Sequence, residues 1–297
     1  MSSISINQQA RPRGGMARIF SHPKVAVGGA MVLLFVCVAV FAPWLAPNDP
    51  NAQDLLATLL PPAWAADGMA QYPLGTDSLG RCVLSRLIYG SRIALIVAVA
   101  AATGTMLLGT TLAILAGYLR GGFDRATSFI VVLWMAFPPV VFSMMLMVGL
   151  GTGVRNVILA VILVDWTRFY RVVRAEVIVA RQREYVQAAR LLGFSHLRVM
   201  LREVLPGVAP LIITLFSLQM GVAIIVEAIL SFVGLSVPSN VVAWGVMLAD
   251  GRDQIYQAGW NLLAPVCGIV FAVLAFNLLS DGLRVVLDPR LRKRGGE

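Results

Sequence analysis

Apolar residues in this chain come in long uninterrupted runs. Residues 25–48, 93–119, 126–154, 204–226 and 254–280 contain no Asp, Glu, Lys or Arg. Each exceeds the ~20 residues that cross a bilayer as a helix, so the pattern predicts five membrane helices. A sixth is expected over about 154–173, where 156–164 is apolar but Asp165 and Arg168 follow. An even number of crossings gives the more consistent distribution of charge. Within the runs, Gly104, Gly109 and Gly117 predict close packing of the second span inside a bundle, and Pro138-Pro139 predict a kink in the third.

Between the fourth and fifth spans lies a polar stretch, 183–206, with the sequence REYVQAARLLGFSHLRVMLREVLP. Glu184 to Leu192 predicts a short helix presenting the small residues Ala188 and Ala189 to an approaching backbone. Gly193 permits the left-handed conformation that ends a helix, Ser195 suits the cap of the next, and Pro206 lacks the N–H that would continue it. The expected outcome is two short helices joined at an angle, a docking element. Upstream, 75–92 carries Leu79, Val83, Leu84, Leu87 and Ile88 near helical spacing, with Arg81, Ser85 and Arg86 on the other face. That pattern predicts a short amphipathic helix on the membrane surface. The loop 234–259, with Trp244, Asp250, Arg252 and Tyr256, is expected to cap the pore or meet a soluble partner.

Composition agrees with the runs: 58% of the 297 residues are hydrophobic and 13% charged. Charge then sets an orientation. Of the 24 Lys and Arg, only Arg81, Arg86, Arg92, Arg155 and Arg252 fall in segments that six spans with an inner N-terminus place outside. The positive-inside rule therefore predicts two cytoplasmic termini. The expected organisation is a basic tail over 1–24, a first membrane helix over 25–46 and an outer loop with the amphipathic helix over 47–89. A membrane-embedded core follows over 90–284 with a cytoplasmic loop at 175–207, then a tail over 285–297. The basic residues sit in short loops beside apolar spans, so the net charge of +9 does not point to nucleic acid. The first apolar run continues to Ala42 without a small-x-small site, which favours an uncleaved helix over a signal peptide.

Little in the chain suggests chemistry. Its two histidines, His22 and His196, are far apart, Cys37, Cys82 and Cys267 have no ligand or disulfide spacing, and no HExxH, GxSxG or GxxxxGK[ST] motif occurs. No metal, catalytic residue or bound cofactor is expected. Two carboxylates lie at membrane depth. Glu227, in the fifth span, is open to a pathway or inter-subunit role or to a structural one. Asp165 is expected to pair with Arg168 on its own helical face.

Glu184-Tyr-Val-x-Ala188-Ala189, followed by Gly193 and Leu205-Pro206, resembles the EAA loop with which bacterial ABC importer permeases dock on their ATPase. Leu74-Gly-Thr-Asp-Ser-Leu-Gly-Arg81, Trp244-Gly-Val-Met-Leu248, Asn277-Leu-Leu-Ser-Asp281-Gly-Leu-Arg284 and Leu287-Asp-Pro-Arg290 are similar to blocks of the C-type permease in the dipeptide/oligopeptide/nickel branch. Gln187 stands where the motif usually has Glu, Cys82 where Asp is usual and Ser280 where Gly is frequent. The resemblance implies an all-α type I importer permease, half of a pore for peptides or related small solutes in a bacterial or archaeal plasma membrane. It implies a second permease subunit, two ATPase subunits carrying ATP and Mg, and an extracytoplasmic binding protein. The implied ATPase-coupling residues are Glu184, Ala188, Ala189, Gly193, Leu205 and Pro206. A secondary transporter subunit and a non-transporting membrane scaffold are the alternatives.

Overall fold

The structure, a computed structural model, describes residues 22–238 and 241–287. The expected tail over 1–24 lies outside the described residues except for 22–24, and so do 288–297, which hold the end of the last motif.

Helices α1 (Pro23–Val40) and α2 (Ala42–Leu45) precede an irregular loop whose β structure is an isolated bridge between Thr76 and Cys82. Then follow α3 (Val83–Leu119), α4 (Gly121–Trp134), α5 (Pro139–Leu150) and α6 (Val154–Arg181). The shorter α7 (Glu184–Leu191) and α8 (His196–Val199) lead through a π-helical turn at Met200–Val204 into α9 (Leu205–Phe232), and α10 (Trp244–Asp253) and α11 (Trp260–Leu287) complete the described fold. Among the described residues, four helices are long and apolar enough to cross a membrane, and a fifth span results if α4 and α5 count as one. The fourth of the six expected spans, within α6, does not pass on composition, because Arg155, Asp165, Arg168, Arg171, Arg174, Glu176 and Arg181 interrupt it.

Small residues set the packing. A Cβ on Gly109 of α3 would lie 2.5 Å from Phe169 Cβ and 2.7 Å from the Trp166 carbonyl oxygen, so α6 crosses α3 in near backbone contact, as the glycines of that span predicted. α1 and α11 cross the same way at two points, Gly28 against Leu279 and Gly282 against Val25. Buried serines join α9 to α11: Ser217 Oγ donates to the Phe276 carbonyl at 3.0 Å and Ser280 Oγ to the Thr214 carbonyl at 2.9 Å. Three apolar clusters fill the bundle, one with Tyr118, Tyr170 and Val204 toward the Gly193 end and two in the opposite half, of which one holds Val161 and Leu230 and the other Phe35, Trp244 and Phe276.

Four expectations are corrected. The surface helix expected within 75–92 does not exist as a separate element, because α3 starts at Val83 and runs 37 residues without a break. Its polar face is buried: Arg86 is 2% exposed, with Nε 3.7 Å from Asp77 Oδ2 and Nη2 3.7 Å from Asp250 Oδ2, and Arg81 bonds both carboxylates at 2.7 and 3.1 Å. Asp165 does not pair with Arg168; its Oδ2 accepts from Gln219 Nε2 of α9 at 2.7 Å, a bond that ties α6 to α9. Pro206 does not stop a helix. The five-residue π turn before it widens the ladder, so the proline ring avoids the carbonyl of residue 202 and the axis continues into α9. The fourth concerns Ala189 and is given with the site. The kink at Pro138-Pro139 is real and amounts to a bend of 89° between α4 and α5, with Pro139 in the first turn of α5, where a missing N–H costs nothing.

Candidate coupling surface

At one end of the bundle the chain leaves α6, forms α7 and turns back into α8. α7 ends in a Schellman motif: the Phe194 amide donates to the Ala189 carbonyl at 3.2 Å and the Gly193 amide to the Arg190 carbonyl at 3.0 Å. That closure requires a left-handed residue after the helix, and Gly193 supplies it with φ +78°. Phe194 then packs on the apolar cluster below, and Ser195 caps α8 by accepting from the Arg198 amide at 3.4 Å. The elbow is thus fixed by local backbone chemistry. Its seat is tertiary, through buried Val186, Ala189 and Val199.

The named residues separate on this elbow. Glu184, Ala188 and Gly193 are exposed, whereas Ala189 is buried in the protein's own core, which corrects the expectation that both alanines face outward. The two differ by one helical step of 100°, so only one faces out. Leu205 is half-buried beneath the elbow and Pro206 exposed at the start of α9. A Cβ on Gly207 would lie 2.9 Å from Tyr185 Oη, so α7 and the start of α9 touch there. Glu227 is elsewhere, toward the far end of α9: it is 1% exposed, and its Oε1 accepts from Ser231 Oγ at 2.6 Å and from Ser236 Oγ at 3.3 Å.

Sequence reasoning missed the contribution of α3. Tyr118, at its last turn, lies under the elbow with its hydroxyl 3.2 Å from His196 Nδ1, and the guanidinium carbons of Arg181 and Arg190 lie 5.8 and 6.0 Å from its ring centroid. A polar aromatic at the end of an apolar run, two residues before Arg120, was the available signal. Arg181, Arg190 and His196, with Arg120 and Gln187, line a recess of about 760 Å³. Beside it stand Leu191, Leu192 and Leu197, exposed by 89%, 75% and 62%. Such an arrangement suits a protein partner with an apolar pocket and an acidic rim. Among the described residues no group of His, Cys, Asp and Glu is placed to hold a metal.

Residues 109–293 match the family described as the binding-protein-dependent transport system inner membrane component, and residues 13–62 match the N-terminal transmembrane domain of oligopeptide transport permease C. Over 275 residues the chain is 39% identical to the di/tripeptide transport system permease protein DppC of Pseudomonas aeruginosa (strain UCBPP-PA14), covering 92% of this chain and 90% of that protein. It is 37% identical over 277 residues to the glutathione transport system permease protein GsiD of Pectobacterium atrosepticum (93% and 90% covered). It is equally 37% identical, over 261 residues, to the nickel transport system permease protein NikC of Escherichia coli K12 (88% and 92% covered). The chain therefore belongs to the inner-membrane components of binding-protein-dependent transport systems, in the dipeptide/oligopeptide/nickel C-type branch, and is a permease subunit of an ABC importer whose ATP hydrolysis resides in separate subunits.

Proposed function

We propose that this chain is half of a pore that imports peptides across a bacterial inner membrane, and that its elbow, Glu184 to Pro206, is the contact through which an ATPase subunit drives it. It pairs with a second permease subunit, two ATPase subunits bring ATP and Mg, and an extracytoplasmic binding protein delivers the substrate. Six spans with both termini in the cytoplasm fit the alternation of helix ends. α1 begins beside the end of α11, where Lys24 lies 3.9 Å from Asp281, while α6 begins at the opposite end, where the Gly153 amide donates to the Ser236 carbonyl at 2.6 Å. α6 counts as a span in this reading because two of its charged groups are engaged by neighbouring helices: Asp165 bonds Gln219, and Arg174 makes a two-pronged contact with Asp124 at 2.5 and 2.8 Å. Peptides are favoured as cargo by the relative named for di- and tripeptides and by the N-terminal match to oligopeptide transport permease C. Glu227 acts structurally, holding the end of α9 to the following loop.

The observation that carries the coupling reading is the rigid elbow with three exposed leucines beside a basic recess. Gly193→Asp tests it. The substitution forces a side chain into φ +78° at a strain of roughly 1 kcal/mol and adds a carboxylate to the contact. No atom lies within 4 Å of a Cβ placed there, so insertion and folding should be retained. The expected result in reconstituted vesicles is normal membrane abundance with loss of both peptide uptake and binding-protein-stimulated ATP hydrolysis. Full transport by the variant would remove the elbow from the coupling path.

A further inference from the structure

Arg168 and Arg171 of α6 make no salt bridge among the described residues. By the helical rise Arg168 lies about 21 Å along α6 from Val154, within the ~30 Å hydrocarbon depth of a membrane rather than at its edge. An unpaired cation there is costly unless it faces a cavity and meets an anion. The two arginines are three residues apart, on one face, and both line a cavity of about 690 Å³ between α6, α9 and the break after α4. Across it run Leu215 and Leu218 of α9. The carboxylates nearby are already engaged: Asp165 by Gln219, and Glu176 by Arg183 at 3.3 Å. Arg171 Nη1 also lies 3.5 Å from Met135 Sδ, beside the 89° bend, so the cations sit where the path has a joint.

A cavity of this volume with two cations at one side and an aliphatic wall opposite suits a small amphipathic anion. Guanidinium groups hold a carboxylate through two parallel N–H bonds, and the leucines offer surface to apolar side chains. We propose that Arg168 and Arg171 form a station in the translocation path that receives the free C-terminal carboxylate of a peptide while its side chains lie against the α9 leucines. This rests on the peptide-import reading above and adds to it a selectivity element within the permease.

The test uses the reconstituted importer with its binding protein, a radiolabelled tripeptide, and a photoreactive tripeptide that labels what it contacts during turnover. For the variant with Arg168→Gln and Arg171→Gln together, peptides imported per ATP hydrolysed fall about tenfold or more, the complex still assembles, and labelling of the α9 segment carrying Leu215 and Leu218 is lost. Arg168→Lys with Arg171→Lys, which keeps the charge, restores most of the uptake and the labelling. Three results overturn the station: wild-type import per ATP in the Gln variant, photolabelling of α9 that persists in it, or failure of its complex to assemble, which would make the arginines partners of the second permease. No tripeptide import by the wild-type importer would instead refute the peptide reading itself, and the station with it.

Discussion

Gly193 and Ser195 act through bonds to residues within five positions of themselves, and Arg86 does not. The left-handed φ of Gly193 and the cap by Ser195 were legible in the sequence because a Schellman closure and an N-cap are local. Arg86 looked like the wet side of an amphipathic helix because its partner Asp250 is far away in sequence, and spacing along a helix cannot name a distant neighbour. In the structure two arginines and two carboxylates neutralise one another, with Asp77 buried and Asp250 partly open. Truncating one member of such a buried set leaves uncompensated charge, at a typical cost of about 3–5 kcal/mol. Arg86→Leu is therefore expected to lower the unfolding temperature of the detergent-solubilised protein strongly, and Asp250→Asn much less, since water reaches Asp250. Equal effects of the two in a thermal unfolding assay would show that the buried network is not what Arg86 stabilises.

The elements were legible where one rule governed them. Apolar runs located α1, α3, α9 and α11, and the paired prolines located the bend between α4 and α5. α6 was the weak case because hydropathy assumes that a charge faces lipid or water, whereas here packing against α3 and α9 covers part of it. The reading of Pro206 failed for a different reason. A proline ends an α-helical ladder only if the ladder keeps its register, and the turn at Met200–Val204 changes register instead. Pro206→Ala restores the missing N–H and lets that turn tighten toward α geometry, which would rotate the elbow relative to α9. We expect normal abundance and an unchanged unfolding temperature, with reduced stimulated ATP hydrolysis. Fast hydrogen exchange over 200–206 in the native protein and slower exchange in the variant would report the tightening; identical exchange would refute it.

For the molecule as a whole, orientation rests on the arginines, and two positions expose it to measurement. Ser195 is exposed at the elbow and Tyr256, fully exposed, lies in the loop between α10 and α11. A cysteine at Tyr256 is expected to react with a membrane-impermeant thiol reagent in intact cells, and one at Ser195 only in inside-out vesicles. The reverse pattern would invert the molecule and place the elbow out of reach of any cytoplasmic ATPase. Whole-chain organisation was the part least legible in sequence, since contacts such as Trp244 Nε1 to the Leu87 carbonyl at 2.8 Å join segments with no shared motif. α3 joins the two ends directly. It is about 56 Å of unbroken helix, with Arg86 locked among charges near its start and Tyr118 against His196 near its finish. A rod with no joint shortens or bends little under axial load, so a push on the elbow arrives at the far ionic cluster as displacement rather than being absorbed on the way. Under the coupling proposed above, this one helix would be the mechanical linkage between the elbow and the ionic cluster at the opposite end.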